Sequence, residues 1–213
     1  MILKINRLFE KTVSKIVVFL LLFQFSCSSD LDFSEVGQLR QYIANSDNGL
    51  VKVREDNDYR FEVSYVPTDI LVNLDLIGSP EYQMNLDSLR SKYKDYYYFQ
   101  LSMTRGGHAI DHNLKGGVGQ YRALKEKLIF GLTDQIFIST NSNDNISITD
   151  YVYPRLYGLN HATNILFFFN RKGVSEDDQI LAINLKDMGF HNRDLKFSFD
   201  LEKIKRNMEI DFK

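Results

Sequence analysis

The sequence predicts an α+β fold built mainly on antiparallel sheet, with about three or four helices and a strand-rich C-terminal half. Three observations point there. Segments with helical periodicity are intermixed with segments that alternate every second residue, and the regular strand–helix rhythm of a parallel α/β protein is missing. Several alternating segments are joined by short polar turns, the pattern of hairpins with one buried and one wet face. Apolar residues make up 44% of the chain, enough to build a core, with no internal repeat or low-complexity tract.

Each element follows from its local pattern. Val36, Leu39, Tyr42 and Ile43 share one face of a helix that Ser34 is placed to cap and that ends within Asn45 to Gly49. Val51-Lys-Val53-Arg and Tyr59-Arg-Phe61-Glu-Val63-Ser-Tyr65 alternate strictly on either side of Glu55 to Asp58, which makes them a hairpin. Pro67, Thr68 and Asp69 start an apolar helix over 70–77, and Gly78-Ser-Pro80 stops it. Leu86, Leu89 and Tyr93 lie on one side of a helix over 86–93, and Phe99, Leu101 and Met103 alternate in a strand over 97–103.

The Gly-rich stretch 105–119 is expected to be the longest loop, followed by a helix over 120–132. Strands over 135–139 and 146–149 flank an Asn/Asp/Ser turn. Ile165-Leu-Phe-Phe-Phe169 is continuously apolar and cannot alternate in and out. The expectation is a central strand covered on both faces, with Phe168 in the core. Strands over 180–185, 195–201 and 208–212 complete the chain.

The N-terminus carries an address. Lys4, Arg7, Lys11 and Lys15 face one acid, Glu10, and precede the unbroken apolar run Ile16-Val-Val-Phe-Leu-Leu-Leu-Phe23. Ser26 and Cys27 close the segment. A basic region, a short apolar region and a small residue at the cut site make a secretory signal, and the run is too short for a transmembrane helix. The segment resembles a lipoprotein signal peptide of Bacteroidota-type bacteria: Ser26-Cys27 fits the end of the lipobox, and Asp30, Asp32 and Glu35 soon follow. Gln24 and Phe25 depart from its stricter form. The resemblance covers about 35 residues. It implies cleavage before Cys27, acylation of Cys27, and an exported protein held in the cell envelope at the outer membrane. Several acyl chains, at about 0.8 kcal/mol per buried methylene, would make that anchorage stable. Cys27 is the only cysteine, so no intramolecular disulfide can form. The expected organisation is a signal over 1–26, a lipidated tether over 27–33 and a single domain over 34–213.

Cleavage would remove four of 26 basic and one of 28 acidic residues, leaving 187 residues with a net charge of −5. That balance argues against a nucleic-acid footprint. Tyr and Phe are abundant and Trp is absent, which weakens a glycan-stacking reading.

The most chemical-looking segment is the Gly-rich stretch. His108-Ala-Ile-Asp111-His112 resembles the His-x-x-Glu-His of inverted zinc peptidases, with Asp in place of Glu. Two His four apart share a metal only from one helical face, and paired glycines on both sides leave room for barely one turn. Lys115-Gly-Gly-Val-Gly-Gln120-Tyr121 resembles a ParA-type phosphate loop, but Gln120 and Tyr121 replace the residues that meet phosphate and magnesium. His161 and His191 stand alone, and no Gly-x-Ser-x-Gly elbow is present. No cofactor is expected.

Two tyrosine clusters remain: Tyr93 with 96 to 98, and Tyr151, Tyr153 and Tyr157. Tyrosine suits both core edges and interfaces. Tyr151, Tyr153, Arg155 and Tyr157 around Pro154 make the candidate interface loop. The favoured reading is an envelope lipoprotein that acts, without catalysis, as a binding or assembly module for a protein partner. The alternative is a lipid-tethered hydrolase or metal-dependent enzyme using His108, Asp111 and His112.

Overall fold

A computed structural model describes residues 30–78, 85–110, 117–154, 161–189 and 193–212. Leu31 to Lys213 forms one compact unit. It is an α+β fold, as expected, with twelve strands and five α-helices among the described residues. The strands are β1 (Leu31–Phe33), β2 (Val51–Asp56), β3 (Tyr59–Val66), β4 (Tyr96–Arg105), β5 (His108–Ala109), β6 (Ile136–Thr140), β7 (Ile146–Ser147), β8 (Asp150–Val152), β9 (Thr163–Asn170), β10 (Ile180–Leu185), β11 (Leu195–Asp200) and β12 (Met208–Ile210). The helices are α1 (Val36–Ala44), α2 (Thr68–Gly78), α3 (Leu86–Tyr93), α4 (Gly117–Phe130) and α5 (Leu201–Lys205).

The larger sheet runs β2-β3-β4-β9-β8, with β5 folded back on β4, and the smaller runs β11-β10-β6-β7. Every pairing within these two sheets is antiparallel. Alternation explains how they meet. Phe61, Val63 and Tyr65 of β3, Phe99, Leu101 and Met103 of β4, and Ile165, Phe167 and Phe169 of β9 point to one side and are buried. Phe197 and Phe199 of β11 enter the same core, with the Phe99 and Phe199 rings 5.2 Å apart. Phe99 also stacks between Phe167 and Phe169 at 5.9 and 6.0 Å. Offset aromatic pairs add to the stabilisation from burial alone.

The β2–β3 hairpin turns in two residues, Asn57 and Asp58, so Glu55 and Asp56 belong to the strand rather than the turn. Asn57 takes the left-handed conformation (φ 54°), which Asn tolerates better than most residues. Between β4 and β5 the chain reverses through Gly106 and Gly107, both at positive φ. The first part of the expected long loop is therefore a hairpin, and α4 starts at Gly117 rather than 120.

Three expectations are corrected. β9 alternates: Ile165, Phe167 and Phe169 are fully buried, whereas Leu166 and Phe168 are only half-buried on the opposite face. Phe168 packs on that face against Tyr96 and Tyr98, ring centroids 5.3 and 5.2 Å away, with Tyr93 of α3 against Tyr98. A local tyrosine cluster, rather than a second core, covers this end of the sheet. Leu31 to Phe33, expected as tether, is a strand paired in parallel with β12, and Phe33 lies 5.4 Å from the Tyr42 ring. The alternation Leu-Asp-Phe lets two apolar side chains join the core edge. Ser34 does not cap α1: Glu35 takes the cap position without a side-chain bond, and Gln38 reaches back to the Ser34 amide.

A buried ion pair ties the helices to the C-terminus. Asp69, 2% exposed in the first turn of α2, receives two hydrogen bonds from Arg90 of α3 at 2.9 and 2.6 Å. Its second oxygen also accepts from the Ile210 amide at 2.7 Å. Arg90 donates to the Ile210 carbonyl and pairs with Glu209, and its neighbouring carboxylates, Asp69 foremost, raise its pKa.

Candidate functional site

His108 lies on β5, exposed and directly across from Arg105. Arg105 is buried, sits over the Tyr59 ring and pairs with Asp58 at 3.4 Å. The start of the Gly-rich stretch is thus anchored as ordinary hairpin. Asp111 and His112 lie outside the described residues. Among the described residues, no three His, Cys, Asp or Glu side chains gather as a metal group. Of the phosphate-loop resemblance, Lys115 and Gly116 lie outside the described residues, and 117–120 begin α4.

Tyr151 and Tyr153 are half-buried and packed against the core. The Tyr153 hydroxyl accepts a hydrogen bond from Lys125 at 3.0 Å, and the same ammonium lies 5.4 Å from its ring. The residues between and after them, Val152 and Pro154, face outward. Arg155, Tyr157 and Cys27 lie outside the described residues.

Val152 and Pro154 border the feature that the candidate loop only hinted at. A groove of about 420 Å³ crosses the outer face of the larger sheet, between the sheet and helices α1 and α2. Its floor is the outward-pointing set of β3, β4 and β9, including Ser64, Gln100, Asn164 and Leu166. The polar part of that floor is tied together: Gln100 donates to the Ser102 hydroxyl, which donates to Asn164 at 2.6 Å. The walls are mainly apolar, from Ile43 of α1, Ile70, Leu71 and Leu74 of α2, and Val152, with the charged Arg40 of α1 and Glu62 of β3 also on the lining. The volume lies within the range of ordinary ligand pockets.

No protein-family model, curated protein or solved structure matches the chain. The site must be read from its own chemistry.

That chemistry is decided by α2. Its sequence, Thr-Asp-Ile-Leu-Val-Asn-Leu-Asp-Leu-Ile-Gly, is apolar on more than one face. Ile70, Leu71 and Val72 are buried, but Leu74 is 52% and Ile77 68% exposed, and Val152 across the groove is 53% exposed. Leu74 and Ile77, three residues apart, share a helix face. A helix apolar all round is ordinarily buried, and clustered exposed apolar residues mark a surface that something covers. The sequence marks α2 as an apolar helix without showing which of its sides meets solvent. The surplus of apolar residues over what one face needs was the available signal. The other walls come from positions far apart in the chain.

Among the described residues no helix is long and apolar enough to cross a membrane.

Proposed function

We propose that this is an exported lipoprotein, anchored through acylated Cys27 in the cell envelope at the outer membrane, whose folded unit is a non-enzymatic binding or assembly module for a protein partner. The observation that carries the binding part is the groove on the outer sheet face, rimmed by Leu74 and Val152. Its mainly apolar walls suit an apolar-faced segment of a partner, and its hydrogen-bonded polar floor suits that segment's backbone or small polar side chains. The signal-like N-terminus, with its basic region, apolar run and Ser26-Cys27 end, supports the address. The compact unit begins at Leu31, four positions after Cys27, so an acylated Cys27 would hold the domain close to the bilayer.

Two experiments test the proposal. Metabolic labelling with an alkynyl palmitate should mark the parent chain and not Cys27→Ala, and an unlabelled parent overturns the anchor. In detergent-solubilised envelopes, the double variant Leu74→Glu and Val152→Glu should migrate as the lone chain on native gels, while the parent migrates as a larger complex. Equal migration of parent and variant overturns the groove as the binding surface. Both substitutions sit at exposed positions, so thermal stability should change little.

A further inference from the structure

A second cavity, of about 390 Å³, opens where β3 runs into α2, and it has the opposite character. Its walls are the start of α2, the outward side of α3, Arg171 beyond the end of β9, and the segment from α5 into β12. Five cations line it, Arg90, Lys94, Arg171, Lys205 and Arg206, against three carboxylates, Asp69, Asp87 and Glu209. The lining therefore carries a surplus of two positive charges, in a chain whose formal net charge is −2. Two of the three carboxylates are already engaged by Arg90.

The remaining cations differ in what holds them. Arg171 is fixed: its Nε donates to the Tyr96 carbonyl at 3.1 Å and its guanidinium lies 4.4 Å above the Tyr97 ring. The Lys205 ammonium donates to the Glu176 carbonyl. Among the described residues, neither Arg171, Lys94 nor Arg206 has a carboxylate partner. A planar guanidinium held by stacking presents its outer N–H groups with little ordering left to do, which is the arrangement that favours anion capture. Tyr65 adjoins the guanidinium; burial pushes its phenol up to about 12 against the opposing pull of Arg171, so it stays a neutral hydroxyl. Thr68, Ser91 and Asn207 add uncharged polar groups.

We propose that this cavity binds a phosphomonoester-bearing ligand, its phosphoryl group facing Arg171, Lys94 and Arg206. A phosphomonoester carries about −1.5 to −2 charges at neutral pH, which matches the surplus on the lining, whereas a single carboxylate meets only half of it. Bidentate pairing with guanidinium favours the same chemistry. The cavity is larger than a bare phosphate requires and leaves room for a small polar body beside Thr68, Ser91 and Asn207. This inference does not depend on what occupies the apolar groove.

Titration calorimetry on the full chain in a zwitterionic detergent tests it, with glycerol 3-phosphate as the probe and glycerol plus chloride at equal ionic strength as the control. The expected result is saturable binding of glycerol 3-phosphate alone, weakened about ten-fold or more by Arg171→Gln. Because Arg171 also packs on Tyr97, exposed Arg206→Gln provides a second reading: weaker binding at unchanged thermal stability, with exposed Lys196→Gln on β11 binding like the parent. Micelles doped with phosphatidic acid, compared with phosphatidylcholine, form the second arm. Binding there alone assigns the phosphomonoester to a lipid headgroup, and binding in the first arm assigns it to a soluble ligand. Absence of binding in both arms, or binding that Arg171→Gln and Arg206→Gln leave unchanged, overturns the proposal.

Discussion

Replacing Asp69 by Ala removes the acceptor on which α2, α3 and β12 converge. The Asp69 carboxylate is 2% exposed and accepts three hydrogen bonds, two from Arg90 and one from the Ile210 amide. Truncation leaves the Ile210 N–H buried without its acceptor, at about 1–3 kcal/mol. It also leaves Arg90 without its main partner, and breaking a buried pair typically costs about 3–5 kcal/mol in all. The Arg90 side chain is 23% exposed and keeps Glu209 at 3.3 Å, so the lower end applies, about 3 kcal/mol. For a domain of this size that lowers the melting temperature by roughly 6–12 °C. Urea unfolding should give the same loss with an unchanged denaturant slope. A second pair between the same helices serves as the internal control. Asp75 meets Lys92 at 2.8 Å, with Lys92 55% exposed, and Asp75→Asn should cost about 1 kcal/mol or less. Equal losses for Asp69→Ala and Asp75→Asn, or a loss below about 1 kcal/mol for Asp69→Ala, would refute the reasoning.

Further predictions follow from burial and from titration. Phe167→Ala should cost about 3–5 kcal/mol and half-buried Phe168→Ala about half as much, measured by denaturant unfolding; equal costs would mean that both faces of β9 are sealed. A chain beginning at Ser34 should melt several degrees below one beginning at Leu31, because it lacks the strand that pairs with β12; identical melting would make β1 dispensable. Asp178 is 4% exposed; burial pushes its carboxyl up, but hydrogen bonds from Thr140, Ser175 and Ser142 outweigh this and hold it below the usual range. Its folded-state pKa is thus depressed, so its stabilisation is present above the unfolded value of about 3.9 and is lost as pH falls through the lower folded value. Asp178→Asn should flatten the loss of stability below about pH 4 seen in the parent, and an unchanged acid limb would contradict this.

What the sequence made legible was local. The alternation through Phe61, Val63 and Tyr65 placed β3, and the spacing of Leu86, Leu89 and Tyr93 matched α3 to the residue. The β9 run misled because five apolar residues hide which of them face the core. Only the partners, Phe99 on one side and Tyr96 and Tyr98 on the other, distinguish Phe167 from Phe168. β1 was invisible for another reason: three residues carry little pattern, and their partner lies at Met208 to Ile210, at the far end of the chain. The same distance effect hid both cavities. The groove draws on α1, α2, β2, β3, β4, β9, β8 and the segment after it, and the cationic cavity joins Arg90, Arg171 and Arg206 from three separate regions. No local window contains either. The candidate loop at Tyr151 came close, since alternation placed its tyrosines inward and Val152 on the groove wall.

The central claim is that the outer-face groove receives a partner protein, and site-specific photo-crosslinking tests it most directly. A photoreactive residue at position 74, in intact cells making the full chain, should give a discrete covalent adduct with a second protein, and Val152→Glu should abolish it. An adduct no stronger than one formed from exposed position 172, away from the groove, would contradict the account.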